Sequence, residues 1–244
     1  MRTHTLTQIS ITMKNVLIIG ASKGIGLRIA ELLAGSYNLF TVSRTESPEL
    51  SRLNTTHFTA DITNGVPAEL QNLPDELHGL VYCPGTINLK PVNRLTEDDF
   101  LNDYKVNVLG AVKVIQFCLP RLKKTNGSSV VMFSTVAAKA GMAFHASVAA
   151  SKAAVEGLGR SLAAELAPAQ IRVNVVAPSL TDTPLAKNLL NTPERVEASA
   201  KRHPLNRVGQ ADDIASMAAF LVSDKATWVT GQVFGVDGGL STLR

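Results

Sequence analysis

The stretch Val16-Leu-Ile-Ile-Gly-Ala-Ser-Lys-Gly-Ile-Gly26 constrains this chain more tightly than any other. Val16 to Ile19 is an unbroken apolar run, the mark of a strand buried on both faces. It breaks at Gly20. After Gly24 and Gly26 an amphipathic stretch follows, with Ile25, Leu27, Ile29, Ala30, Leu32 and Leu33 as its apolar positions. Strand, glycine turn and helix in that order bring backbone N–H groups and a helix N-terminus to one point, where a pyrophosphate can meet them. A Cβ on these glycines would hold the phosphates away or clash with the following helix. Such a pattern alone also fits an ordinary strand-to-helix turn. Its place at the first strand of a long α/β alternation favours binding.

The chain has 244 residues, 45% of them hydrophobic, which suits one large α/β domain with a sizeable core. The expected organisation is a polar N-terminal extension over residues 1–13, with Met13 as a second candidate start, and a single domain over 14–244. The extension lacks a signal-peptide core, and no apolar run approaches membrane length. A soluble, cytoplasmic protein with no membrane partner is expected. Cys83 and Cys118 are the only cysteines and the five histidines lack ligand spacing, so neither a disulfide framework nor a metal site is expected. The net charge of +4 is spread over scattered cations, a pattern of solvated surface rather than of a nucleic-acid partner.

Further strands are expected at Asn38–Ser43, His57–Ala60, Gly79–Cys83, Val130–Ser134, Ile171–Ala177 and Gln232–Val236. Thr96-Glu-Asp-Asp opens a helix with a capping residue and early acids, and Phe100, Tyr104, Val108, Val112 and Ile115 are expected on one face of it. Ala211-Asp-Asp-Ile opens another helix in the same style. Alternation of this kind means a parallel sheet covered on both faces, with ligands bound beyond the carboxyl ends of its strands. The residues at those ends are the Gly20–Gly26 loop, Ser43-Arg44, Asp61, Pro84-Gly85, Ser134-Thr135 and Pro178.

In the order and spacing of these pieces the sequence resembles the short-chain dehydrogenases/reductases over nearly its whole length. The residues that carry the resemblance are the Gly20–Gly26 loop, Asp61-Ile62, Asn107-Val-Leu-Gly110, the Ser151-Lys152 helix, Pro178 with Thr183, and the ending Thr230-Gly-Gln-Val-Phe-Gly-Val-Asp-Gly-Gly239. The resemblance implies a Rossmann-like, doubly wound α/β sheet of about seven parallel strands with helices on both faces. It also implies a nicotinamide dinucleotide on Gly20, Ser22, Lys23, Gly24, Ile25, Gly26, Ser43, Arg44, Asp61, Ile62, Gly85, Lys152, Pro178, Thr181 and Thr183. Asp61 resembles the family's adenine-contacting acid, and equally an ordinary turn former. The second strand ends in Ser43 and Arg44 where an acid would hold a ribose 2′-hydroxyl. With Lys23 in the glycine loop, two cations and no acid favour NADP(H) over NAD(H). The small-residue helix from Val148 to Leu166, with Ala149, Ala153, Gly157 and Ala164, resembles a subunit interface, so a homodimer or homotetramer is expected; packing against the sheet is the other explanation.

One residue of the family's pattern is absent. Chemistry there rests on Asn, Ser, Tyr and Lys, with Tyr and Lys four apart on one helix so that both face the cofactor. The phenol moves the proton at the substrate oxygen, and the lysine holds the ribose and lowers the phenol's pKa. Counting back from Lys152, the tyrosine position holds Val148, while Asn107 is in place and Thr135 keeps a hydroxyl at the serine position. Loss of a positioned acid costs a factor of about 10²–10⁴. His145 is the candidate replacement if the helix already runs there, since it would then share a face with Lys152. A loop histidine without a proton role fits as well. Ser147 and Tyr82 are weaker candidates, and Ser179 stands where the family usually has glycine. The expected function is NADP(H)-dependent hydride transfer between nicotinamide and a small carbonyl or alcohol with a non-tyrosine proton donor. The alternatives are a cofactor-binding sensor or assembly subunit without dehydrogenase activity, and an ancillary chemistry such as enone reduction or dehydration.

Overall fold

A computed structural model describes residues 13–243; residues 1–12, nearly all of the expected N-terminal extension, lie outside the described residues. The chain runs β1 (Lys14–Ile19), α1 (Gly24–Leu33), β2 (Tyr37–Ser43), α2 (Pro48–Ser51), β3 (Thr55–Thr59), β4 (Gly79–Tyr82), α3 (Glu97–Tyr104), α4 (Gly110–Leu122), β5 (Ser129–Phe133) and α5 (Ala146–Leu166). It continues through β6 (Arg172–Pro178), β7 (Thr181–Asp182), α6 (Pro193–Ala200), β8 (Gly209–Gln210), α7 (Ala211–Val222) and β9 (Val233–Val236). Seven strands pair in parallel in the order β3-β2-β1-β4-β5-β6-β9, as expected for a doubly wound sheet. The order reverses between β1 and β4, and the crevice at their carboxyl ends is the switch point at which such sheets bind ligands.

Both faces of the central strands are buried, which is why those strands read as apolar runs rather than alternations. Leu17 and Ile19 of β1 pack with Leu80, Met132 and Val155 beneath α4 and α5. Val16 and Ile18 pack with Ile29 and Ala218 beneath α1 and α7. β7 and β8 form a separate two-stranded ladder outside the main sheet.

One expected helix face is corrected. Between α3 and α4, Lys105–Leu109 forms a π turn, and its extra residue rotates the register. Val108 and Ile115 are buried as expected, but Phe100 and Tyr104 are 40% and 43% exposed. The same rotation buries Asn107. The turn is braced from the sheet, because the Tyr82 hydroxyl donates to the Val106 carbonyl at 2.7 Å. Gly110 leaves room for that phenol: a Cβ there would lie 2.1 Å from the Tyr82 hydroxyl oxygen.

The tightest backbone approach lies in the glycine loop, where a Cβ on Gly26 would sit 2.2 Å from the Gly20 carbonyl oxygen. Backbone cannot yield as a flexible side chain does, so Gly26→Ala is expected to cost about 2–3 kcal/mol in urea unfolding. Gly157, whose Cβ would meet nothing within 4 Å, is the control; Gly157→Ala is expected to be neutral or stabilising by up to about 1 kcal/mol. Equal effects of the two changes would contradict this account of the loop.

Candidate active site

The site begins at the glycine loop. Gly20 (φ +83°) and Gly24 (φ +58°) take left-handed backbone conformations that favour glycine. Helices α3 and α6 are capped by the side chains of Thr96 and Thr192, but Lys23, at the cap position of α1, makes no side-chain cap. Its first-turn N–H groups therefore remain available to an anion. Thr183 closes the crevice opposite, 3.4 Å from where a Cβ on Gly24 would stand. A glycine-walled cradle beneath an uncapped helix fits the pyrophosphate of a dinucleotide.

Around it lie the residues expected to choose the cofactor. Ser43 is buried and donates to the Thr45 carbonyl at 2.8 Å, while Lys23 and Arg44 are exposed. Among the described residues neither cation is in an ion pair. Asp61 accepts from the Thr63 hydroxyl (2.7 Å) and amide (2.9 Å). Those two bonds, with a smaller contribution from Arg44, hold its carboxyl below the ordinary carboxylate range. Ile62, next to it, is buried.

The chemistry centres on Lys152. Its side chain enters from α5, is buried, and donates from Nζ to the Phe133 carbonyl at 2.9 Å. Burial pushes the ammonium down to about 8, against weaker opposing contributions from Cys83 and Asp103. Gly85 sits against it: a Cβ there would be 3.2 Å from Lys152 Nζ and 3.6 Å from Asn107 Oδ1. Asn107 Nδ2 donates to Ser151 Oγ (2.9 Å) and Thr86 Oγ1 (3.1 Å), and the Ser151 hydroxyl donates on to the Val148 carbonyl at 3.0 Å. Asn107 Oδ1 is buried with no partner among the described residues. An unpaired acceptor beside a buried ammonium is a place built to meet a donor from outside the chain.

Thr135 and the expected proton donors stand around this centre. Thr135 Oγ1 accepts from the Ala137 amide at 3.3 Å, which leaves its own hydrogen free to donate. Val148 is buried one helical turn before Lys152 and carries no polar atom. α5 begins at Ala146, so His145 is its cap rather than part of it and the condition for a shared face with Lys152 is not met. His145 Nδ1 donates to the Ala143 carbonyl at 2.7 Å, which leaves Nε2 to exchange a proton. The histidine lines a cavity of about 470 Å³ with Lys90, Ala137, Met142, Phe144 and Ala149; Lys152, Asn107 and Thr135 do not line it. The weaker candidates are engaged elsewhere, Tyr82 with Val106 and Ser147 with the buried Asp103 carboxylate at 2.5 Å. Pro178 ends β6, and beyond it Thr181 donates to the Ser179 carbonyl at 3.0 Å and Thr183 to the Thr181 carbonyl at 3.4 Å.

Sequence reasoning missed Ser151, Thr86 and the Ser147–Asp103 pair. Ser151 directly precedes Lys152 and was within reach. The others bond across 21 to 44 residues, a separation that leaves no local signal.

The comparisons with known proteins agree with this fold. Residues 20–241 match the family model described as enoyl-(acyl carrier protein) reductase. A tropinone reductase homolog of Arabidopsis thaliana is 32% identical over 243 residues, 93% of this chain and 92% of that protein. A short-chain type dehydrogenase/reductase from Mycobacterium ulcerans superposes with a TM-score of 0.86 at 29% identity, over 95% of this chain and 90% of that one. A structure described as ElxO with NADP bound gives a TM-score of 0.84 at 25% identity, over 94% and 99% of the two chains.

The buried ammonium makes a stability prediction with a definite sign. Folding lowers the Lys152 pKa from 10.5 to about 8. Between those values the unfolded chain holds a proton that the folded chain lacks, so the Lys152 contribution to stability rises with pH there. Below about 8 the full cost of the buried charge is present. Lys152→Met is expected to stabilise the ligand-free protein by about 1–3 kcal/mol at neutral pH, with the gain shrinking towards pH 10. Denaturant titrations at several pH values check this; a pH-independent difference would contradict it.

Proposed function

The chain belongs to the short-chain dehydrogenase/reductase family, and on that basis we propose that it is an NADP(H)-dependent oxidoreductase whose proton donor is not tyrosine. The convergence of Lys152, Asn107 and Gly85 beside an uncapped glycine loop, with Val148 at the phenol's position, carries the proposal. Gly20, Ser22, Gly24, Ile25 and Gly26 would hold the pyrophosphate, Asp61 and Ile62 the adenine side, and Pro178, Thr181 and Thr183 the nicotinamide end. Lys23 and Arg44 would take the 2′-phosphate, Arg44 as a planar fork. The NADP in the ElxO structure supports this choice. When bound, the nicotinamide would give or take a hydride at a small carbonyl or alcohol.

The protein's own part is to place the substrate and move its proton. Thr135, with its oxygen occupied by the Ala137 amide, donates its hydrogen to the reacting oxygen. Lys152 holds the ribose and fixes the cofactor relative to Thr135. His145, with Nδ1 committed to Ala143 and Nε2 open, is the remaining candidate for the proton, although neither Thr135 nor Lys152 lines its cavity. We place the protein in the cytoplasm as a homodimer or homotetramer. The exposed Phe100, Tyr104 and Leu109 next to α4, with the outward Ala153 of α5, support an interface there.

Calorimetric titration tests the cofactor. NADPH is expected to bind about tenfold or more tighter than NADH, with Arg44→Ala narrowing the gap. Equal affinities would reject the NADP(H) assignment, and no binding of either would reject the enzyme. With a carbonyl panel, Lys152→Ala is expected to abolish NADPH oxidation and His145→Ala to slow it by about 10²–10⁴. An unchanged rate in His145→Ala would remove the histidine from the mechanism, and binding without any turnover would favour a sensor or assembly subunit.

A further inference from the structure

Ser179 follows Pro178 at the end of β6, on the segment that leads to Thr181 and Thr183. Its hydroxyl lies 2.9 Å from His203 Nε2, and His203 is only 5% exposed. The other ring nitrogen, Nδ1, is 2.8 Å from the Ser199 carbonyl of α6. A carbonyl can only accept, so Nδ1 carries the hydrogen and Nε2 is the ring nitrogen left to pair with the serine hydroxyl. The ring is packed as well as bonded, since a Cβ on Gly238 would lie 3.6 Å from His203 Cβ and 3.7 Å from Cδ2.

The stretch that this bond spans is otherwise weakly held. From Pro184 to Arg202 only Ala186 is buried, so the segment has few apolar contacts to keep it in place. At its base, Thr181 and Asp182 pair with Gly209 and Gln210. The Ser179–His203 bond joins residues 24 apart, from just before that ladder to just after α6, and reaches α6 through Ser199. Glycine at position 179 could not make it.

We propose that the Ser179–His203 hydrogen bond is a clasp that holds the Pro178–Thr183 segment and the outer α6 segment as one body, with Ser179 and His203 as positioning residues for cofactor retention. The proposal rests on the cofactor assignment above for retention alone; the clasp itself is a property of the ligand-free chain. Opening it frees the exposed segment and, with it, the crevice wall facing Gly24.

Two measurements on the full chain test this. In the ligand-free protein, limited trypsin digestion reports how accessible Lys187, Arg195, Lys201 and Arg202 are, all of them exposed. In the loaded protein, stopped-flow fluorescence reports NADPH dissociation. Ser179→Ala is expected to raise both rates by about fivefold to tenfold, the loss of one hydrogen bond, and His203→Leu, which also loses the Ser199 bond, by at least as much. The double variant is expected to match His203→Leu, because the Ser179–His203 bond can be broken only once, and Ser179→Thr to stay near wild type. Unchanged cleavage in both single variants, or effects that multiply in the double variant, would overturn the clasp. If NADPH fails to bind the wild type, the cofactor assignment falls and the digestion alone decides the clasp.

Discussion

The carboxyl edge of the sheet is organised by contacts too close for side chains. Gly26 approaches the Gly20 carbonyl so tightly that α1 must start where β1 ends. Gly20 in turn lies against Pro84, 3.3 Å from where a Cβ would stand, which ties the first strand's loop to the fourth's. Gly85, the next residue, meets Lys152 and Asn107. A line of close contacts therefore runs from the uncapped helix to the buried ammonium. A Cβ on Gly26 would force backbone apart, whereas one on Gly85 would press on the movable end of the Lys152 side chain.

What that line reaches is a polar centre kept at a cost to stability. Lys152 is buried with one carbonyl partner, and Asn107 keeps an unsatisfied oxygen beside it. A chain selected for stability alone would fill this space with apolar groups. The π turn belongs to the same arrangement: it exposes Phe100 and Tyr104 and buries Asn107, with the Tyr82 phenol holding the turn. That phenol is committed to a backbone carbonyl and Val148 is apolar, so neither offers a proton at the helix face that Val148 shares with Lys152.

Much of this was legible in the sequence because it is local. The Val16–Ile19 run, the glycine spacing and the capping residues of α3 each announce an element within a few residues. The seven-stranded parallel sheet followed from their alternation. The failures are of another kind. A π turn inserts one residue into a periodic pattern without altering composition, so the 3.6-residue rule put Phe100 and Val108 on one face. The His145 cap differs from a first-turn histidine by a single backbone conformation. Ser179 stood out as a departure from glycine, but its partner lies 24 residues away and only the fold brings them together.

The central claim is that an intact hydride-transfer scaffold here works without its phenol. Measuring NADPH-dependent carbonyl reduction by Val148→Tyr against wild type tests it most directly. If Lys152, Asn107 and Thr135 are poised as described and His145 supplies the proton, wild type should already reduce carbonyls, and the restored phenol should make turnover insensitive to His145→Ala and shift its pH dependence. A wild type that binds NADPH but reduces no carbonyl, or a Val148→Tyr variant that folds, binds NADPH and still depends on His145, would contradict the account.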